Sequence, residues 1–411
     1  MKIKDVKAIE ILDSRGNPTV RTYLTLDDGT IAAASVPSGA STGTHEAIEL
    51  RDKDQKRYGG QGVLNAVNNV NYVIKKMVIG ADADPKTIDQ KMIALDGTPD
   101  KSRLGANAIL SVSEALNRAL ASSSKKPLWR FLSDYYFEGK GNAPKIMFNV
   151  VNGGKHASWN FDIQEFIIIP QRQLASEAVR MGAEIYHAIK KNLKKKGLST
   201  LVGDEGGFSP NLNSNEEVFQ VIIESATNAG YVNGKDYRLA IDAAASEFYS
   251  GSKYILKKDN REVSGDELIN YYLSLEKKYL VHSFEDAFHE DDWENWTKFM
   301  TRLDPHNLLI GDDLLCTDTK RIKIGHEKKS INSVLIKLNQ IGTVLETVEA
   351  IKMTQKYGWA VAVSHRSGET EDPFIADLAY ASSAEFLKTG APARSDRVSK
   401  HNRLIEIENK L

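Results

Sequence analysis

Six short apolar runs in the second half of the chain each end in a side chain that can bind a metal, move a proton or hold an anion. They are residues 239–241 before Asp242, 281–284 before Glu285, 308–311 before Asp312, 334–336 before Lys337, 361–364 before His365, and 385–387 before Lys388. Runs this short and this rich in branched residues read as strands buried on both faces of a parallel sheet. One acid at a strand end is more often a helix cap or a surface ion pair. Three in phase, Asp242, Glu285 and Asp312, would repel one another unless a cation lay between them, and an all-oxygen set without Cys or His suits Mg²⁺ better than Zn²⁺. Lys337 at the end of a buried strand is costly unless it is paired or used. Crowded by cations and partly desolvated, it is expected to have a pKa lowered enough to act as a base near neutral pH.

Two further segments add acids. His156 and Gln164-Glu165 lie around a loop that begins Asn152-Gly153-Gly154, and Glu205 is set between glycines in Gly203-Asp204-Glu205-Gly206-Gly207. Glycine on both sides lets the backbone approach a ligand closely. Each segment taken alone is weak, since a buried histidine and a turn acid are commonplace. The stretch 363–372 places His365 and Arg366 at a strand end, suited to bidentate capture of a phosphate, with Lys388 as a second fixed positive charge; a solvated charged turn is the competing explanation. A metal, a base, an anion clamp and paired acids together suggest proton abstraction next to a carboxylate. With Glu205 kept protonated beside Glu165 to assist a departing hydroxyl, the whole would be a β-elimination.

These groups need a scaffold that brings distant strand ends together. In residues 3–12 and 19–26 apolar and polar residues alternate, and Asp27-Asp28-Gly29 is a hairpin signal before the run 31–36, which predicts a three-stranded antiparallel meander. A loop of small residues follows at 37–43, then helical patterns over 62–79, 85–94 and 105–122, so the first third is α+β. From about Pro144 strands alternate with helices. A capping box at 214–217 opens one helix, which Gly230 ends, and Thr343 opens another, closed by Gly358. Repetition of this kind to the C-terminus predicts a closed (β/α)8-type barrel. The expected units are residues 1–133 and 143–411.

Composition narrows the partners. The chain has 411 residues with 54 Lys+Arg against 55 Asp+Glu, net charge −1, so no long-range field favours nucleic acid or an anionic membrane. A small molecule is the expected ligand. Cys316 is the one cysteine, which excludes an intramolecular disulfide and fits a reducing compartment. The first residues lack the apolar run of a signal peptide, and no stretch approaches the ~18 apolar residues of a membrane span, so a cytoplasmic protein is expected.

Several ordered segments resemble the enolase family: residues 13–19 (DSRGNPT), 36–43 (VPSGASTG), 104–110 (LGANAIL), 152–154, 164–166, 203–208, 337–342 (KLNQIG), 364–372 and 388–392. The resemblance runs from Asp13 to the C-terminus. It implies a small α+β domain followed by a barrel with an irregular ββαα(βα)6 start. The implied activity is reversible dehydration of 2-phosphoglycerate to phosphoenolpyruvate with two Mg²⁺ per active site. Asp242, Glu285 and Asp312 would bind the first ion, and Ser41 would help place the second. Lys337 would be the base at C2 and Glu205 the acid at C3, with Glu165 and His156 around it. Arg366 and Ser367 would hold the phosphate, while His156, Gln164, His365 and Lys388 contact the substrate. The resemblance also implies a homodimer or an octamer of dimers.

The chain departs from the family pattern at Ala287, at His289, at Trp159 in the loop 155–159, and at 406–409, where the expected partner of Arg15 across a dimer is altered. It is also trimmed between Phe248 and Val281. A non-catalytic binding or scaffold homologue is the alternative, favoured by loss of a ligand, and none is lost. A related proton-abstracting enzyme acting on a non-phosphorylated acid is a third reading, against which the clamp at 364–367 stands.

Overall fold

Alternation sets the first unit. Strands β1 (Ile3–Leu12), β2 (Pro18–Leu26) and β3 (Ile31–Ser35) form an antiparallel sheet in the order β1-β2-β3. Val20, Leu24 and Leu26 face inward, fully buried, while Tyr23 between them is exposed. A computed structural model of the chain describes residues 1–39 and 43–411, so Ser41 lies outside the described residues. Helices α1 (Leu64–Asn68) and α2 (Lys75–Val78) are joined by a π-helical turn at Asn69–Ile74. They are followed by α3 (Pro85–Asp96), α4 (Ala106–Ser123) and α5 (Leu128–Tyr136). Helix α4 packs on β2 and β3, where Thr22 Oγ1 and Ser111 Oγ share a hydrogen bond of 2.7 Å.

The second unit begins with β4 (Lys145–Asn152) and β5 (Glu165–Pro170), then α6 (Ala175–Lys195) and α7 (Asn215–Asn228), then β6 (Tyr237–Asp242). A small antiparallel sheet of β7 (Tyr249–Ser250), β8 (Lys253–Leu256) and β9 (Arg261–Val263) intervenes. After α8 (Gly265–Tyr279), strands β10 (Val281–Glu285), β11 (Leu308–Gly311), β12 (Ser333–Ile336), β13 (Ala360–Ser364) and β14 (Phe386–Lys388) alternate with helices. These helices are α9 (Trp293–Arg302), α10 (Thr319–Lys328), the single turn α11 (Leu338–Ile341), α12 (Val344–Lys356) and α13 (Phe374–Ala381), and α14 (Ser395–Glu408) ends the chain. The eight strands β4, β5, β6 and β10 to β14 close into a barrel. Strand β5 is antiparallel to both neighbours and every other pairing is parallel, the expected ββαα(βα)6 order. Among the described residues no helix is long and apolar enough to cross a membrane.

The pleat decides which side chains fill the barrel. Met147, Ile167, Ile169, Ala240, Ile310, Leu335, Ala362 and Phe386 form an apolar cluster of their own inside it, separate from the larger core shared with the helices. Their strand neighbours Val334, Ile336, Val361, Val363 and Leu387 point outward into that larger core. The cap at Ser214 is made only in part: its side chain accepts from Glu217 N, but Glu217 reaches back to Asn213 N rather than to Ser214.

Buried polar contacts lock the two units together. Asp89 on α3 accepts from Ser113 Oγ (2.9 Å) on α4 and from Leu345 N (3.0 Å) in the first turn of α12; nearby, Lys101 pairs with Glu346 at 3.0 Å. Burial pushes the Asp89 carboxyl up to about 7, against those hydrogen bonds and Lys101, with Glu346 adding to the rise. The unfolded group titrates near its ordinary 3.8. Between these values the native state therefore binds more protons than the unfolded chain, so Asp89 makes stability fall as pH rises from about 4 to about 7, by on the order of 4 kcal/mol. Asp89→Asn should remove this slope: the stability difference, variant minus wild type, should grow between pH 5 and pH 8 in denaturant titrations. A flat difference would exclude the assignment.

Candidate active site

One pleat step beyond the apolar floor, the inward position of nearly every strand is polar. Leu335 is followed by Lys337, Ala240 by Asp242, Ile310 by Asp312, Ala362 by Ser364, Phe386 by Lys388 and Met147 by Asn149, while on the reversed β5 Ile167 is preceded by Glu165. These residues surround the mouth at the C-terminal ends of the parallel strands, lined also by His156, Gln164, Glu205, His365, Arg366 and Ser367. Every sequence-predicted site residue except Ser41 is thus brought to this mouth or to its wall. Gly203 lets the Glu205 segment reach it, since a Cβ there would stand 2.5 Å from His156 O and 2.8 Å from Asn152 Cβ.

The acids and lysines interlock. Lys388 Nζ lies 2.8 and 2.9 Å from the two Glu285 oxygens, 3.0 Å from Glu165 Oε2 and 3.3 Å from Asp242 Oδ2. Glu165, Glu285 and Asp242 hold its ammonium charged although burial opposes this. Lys337 Nζ is bonded to Asp312 Oδ2, and the pairing raises the Lys337 pKa against burial. In the free site Lys337 is therefore shifted toward the charged form, opposite to the expected depression. The neighbour in contact is a carboxylate, and the nearest cations act too weakly to offset it. Burial and the facing Asp242 push Glu285 well above the carboxylate range, whereas Lys337 holds Asp312 below it against burial.

The acid pair is also the reverse of expectation. Burial and the neighbouring Glu205 charge push Glu165 well above its ordinary value. For Glu205 burial acts upward, but His365 and His156 facing it hold it well below. The two shifts run in opposite directions, Glu165 toward the protonated form and Glu205 toward the charged one. Asn149 Nδ2 donates to Glu205 Oε2 at 2.9 Å. Arg397 Nη1 lies 2.6 Å from His365 Nδ1, and a guanidinium can only donate, so His365 carries its proton on Nε2, 3.4 Å from Glu205 Oε2. Burial lowers the His365 pKa to about 3, against the pull of Glu205. His156 Nδ1 stands 3.8 Å from both glutamates. Among the described residues, His156 Nδ1 and Gln164 Oε1 are buried without a hydrogen-bond partner at this mouth, which is a polar lining ready for a ligand.

Arg366 is fully buried and its guanidinium meets Glu46 at 2.8 and 3.2 Å and Asn339 Oδ1 at 3.0 Å. Sequence reasoning missed Glu46, which comes from the other unit. It also missed Asp286, whose two oxygens accept from Asp312 N and Asp313 N at 2.9 Å each. The doublets Glu285-Asp286 and Asp312-Asp313 were the available signal. Trp159 is exposed and does not line the mouth, and Arg15 bonds Gly39 O at 3.0 Å within the chain.

Among the described residues, two tight groups could hold a metal ion: His156, Glu165 and Glu205, and Asp286, Asp312 and Asp313. The expected trio Asp242, Glu285 and Asp312 sits on the adjacent strands β6, β10 and β11 or just beyond them, with the two lysine ammonium groups among their oxygens. An oxygen-only, buried and mutually repelling set fits Mg²⁺. Replacing Lys388 by Met should leave these acids unneutralised and cost about 3–5 kcal/mol in EDTA. Mg²⁺ should restore part of that loss. Equal denaturation midpoints for variant and wild type in EDTA would show that the lysine is not what balances them.

Residues 3–132 match the family model for the N-terminal domain of enolase, and residues 142–411 match that for the enolase C-terminal TIM barrel domain. With both domains matched in order along nearly the whole chain, the protein belongs to the enolase family.

Proposed function

We propose that the protein is a Mg²⁺-dependent hydro-lyase that interconverts 2-phosphoglycerate and phosphoenolpyruvate, acting in cytoplasmic glycolysis and gluconeogenesis as a homodimer or an octamer of dimers. The observation that carries the reading is the meeting, in one buried mouth, of the Lys337–Asp312 pair, the Glu165–Glu205 pair and the Arg366 guanidinium. Arg366 and Ser367 take the phosphate, while Lys388, His365, His156 and Gln164 contact the rest of the substrate.

Lys337 removes the C2 proton. It becomes a base once the Asp312 charge is engaged elsewhere, because burial, Arg366 and Lys388 then lower its pKa against the weaker pull of Glu285. Asp242, Glu285 and Asp312 would hold one Mg²⁺ and Ser41 would help hold a second, and these ions would supply positive charge to offset the extra negative charge on the substrate carboxylate. Loss of the C3 hydroxyl as water needs one proton, and the proton shared by Glu165 and Glu205 provides it through Glu205. His365 and Asn149 orient Glu205 for that transfer. The buried walls keep bulk water from the carbanion.

Incubation with 2-phosphoglycerate and Mg²⁺ should give the absorbance rise of phosphoenolpyruvate, and EDTA should abolish it. Lys337→Ala should lower kcat by about 10²- to 10⁴-fold and stop exchange of the C2 proton with D₂O. Glu205→Gln should keep that exchange while losing dehydration. Wild-type turnover by Lys337→Ala would sink the assignment.

A further inference from the structure

The single helical turn α11 begins on the residue after Lys337, and its side chains serve three partners of the site. Asn339 Oδ1 accepts from Arg366. Gln340, fully buried, is fixed from every side. Its Nε2 donates to Asp312 Oδ1 at 2.8 Å and to Glu46 Oε1 at 3.3 Å, and its Oε1 accepts from Thr317 Oγ1 at 2.8 Å. Its backbone carbonyl accepts from Ala47 N, also at 2.8 Å.

The orientation of this amide is determined by its neighbours. Thr317 Oγ1 accepts from Lys337 N at 3.0 Å, so its own hydrogen is available to Gln340 Oε1. The two groups on the opposite side are carboxylates that only accept, so both amide hydrogens are used. Asp312 Oδ1 is thereby anchored while its Oδ2 faces Lys337, and Glu46 is anchored while it holds Arg366.

We propose that Gln340 is a positioning residue that ties the metal-ligand carboxylate of Asp312 to Glu46, so that the ligand, the base and the phosphate guanidinium sit on one hydrogen-bonded chain. This rests on the reading of Asp312 as a Mg²⁺ ligand. An outer partner that orients a ligating carboxylate is worth about 10- to 100-fold in metal affinity.

The test is calorimetric titration of the whole protein with Mg²⁺ alone, without substrate. Gln340→Met keeps the volume and removes the donor. It should weaken Mg²⁺ binding by about 10- to 100-fold while leaving the near-UV circular dichroism of the metal-free protein unchanged. A folded Gln340→Met variant that binds Mg²⁺ within twofold of wild type overturns the proposal. If that variant does not fold, Thr317→Val, which frees the amide to rotate, is read the same way. It should weaken binding by about 2- to 10-fold, the loss of one hydrogen bond, and an unchanged affinity overturns the proposal. The outcome is separable from the proposed reaction. Weakened Mg²⁺ binding in a protein that does not turn over 2-phosphoglycerate removes the reaction and keeps Gln340. Turnover by wild type with Mg²⁺ affinity unmoved in the variant does the converse.

Discussion

The structure depends on keeping charge balanced in a place that water does not reach. Glu165, Asp242, Glu285 and Asp312 crowd one barrel mouth, all buried, and Lys388 and Lys337 are the cations placed among them. An isolated ion in such a setting costs several kcal/mol, so no member of this group is free to vary alone. The pairing also stores chemistry. A lysine held charged only by a neighbouring carboxylate loses its proton readily when that carboxylate finds a stronger partner.

What supports this group is a floor without polarity. The apolar cluster of Leu335, Ile310, Ala240 and their equivalents fills the barrel, and the period of two along each strand brings the next inward residue to the mouth. That is why the strand ends were legible. A short apolar run ending in one polar residue carries the burial of the run and the direction of its last side chain together, so Asp242, Glu285, Asp312, Lys337 and Lys388 could be placed from local sequence. The ββαα(βα)6 order of the fold was available only through the family resemblance, since the antiparallel setting of β5 leaves no mark in periodicity.

Protonation was not legible, because it depends on which groups face each other across the barrel. Nothing near residue 337 in sequence says that its nearest neighbour is Asp312 rather than a cation. Nothing near 205 says that two histidines and Asn149 face it, or that Glu165 and Glu205 shift in opposite directions. The same holds for Glu46, separated from Arg366 by 320 positions, and for Arg397 of α14, which fixes the His365 tautomer.

Those distant contacts make the first unit part of the site. Ser38 and Gly368 exchange backbone hydrogen bonds of 2.7 and 2.9 Å between the meander's exit loop and the loop bearing Arg366. A Cβ at Gly368 would fall 2.3 Å from Ser38 Oγ and 2.4 Å from Asp13 Oδ2, so only glycine permits that approach. Just downstream Glu46 takes hold of Arg366 itself. A guanidinium already paired with a buried carboxylate is held in a fixed orientation, and it can admit a phosphate only by sharing its donors or by releasing Glu46. Glu46 also accepts from Gly43 N at 3.1 Å, so a shift of that carboxylate acts directly on the backbone at Gly43.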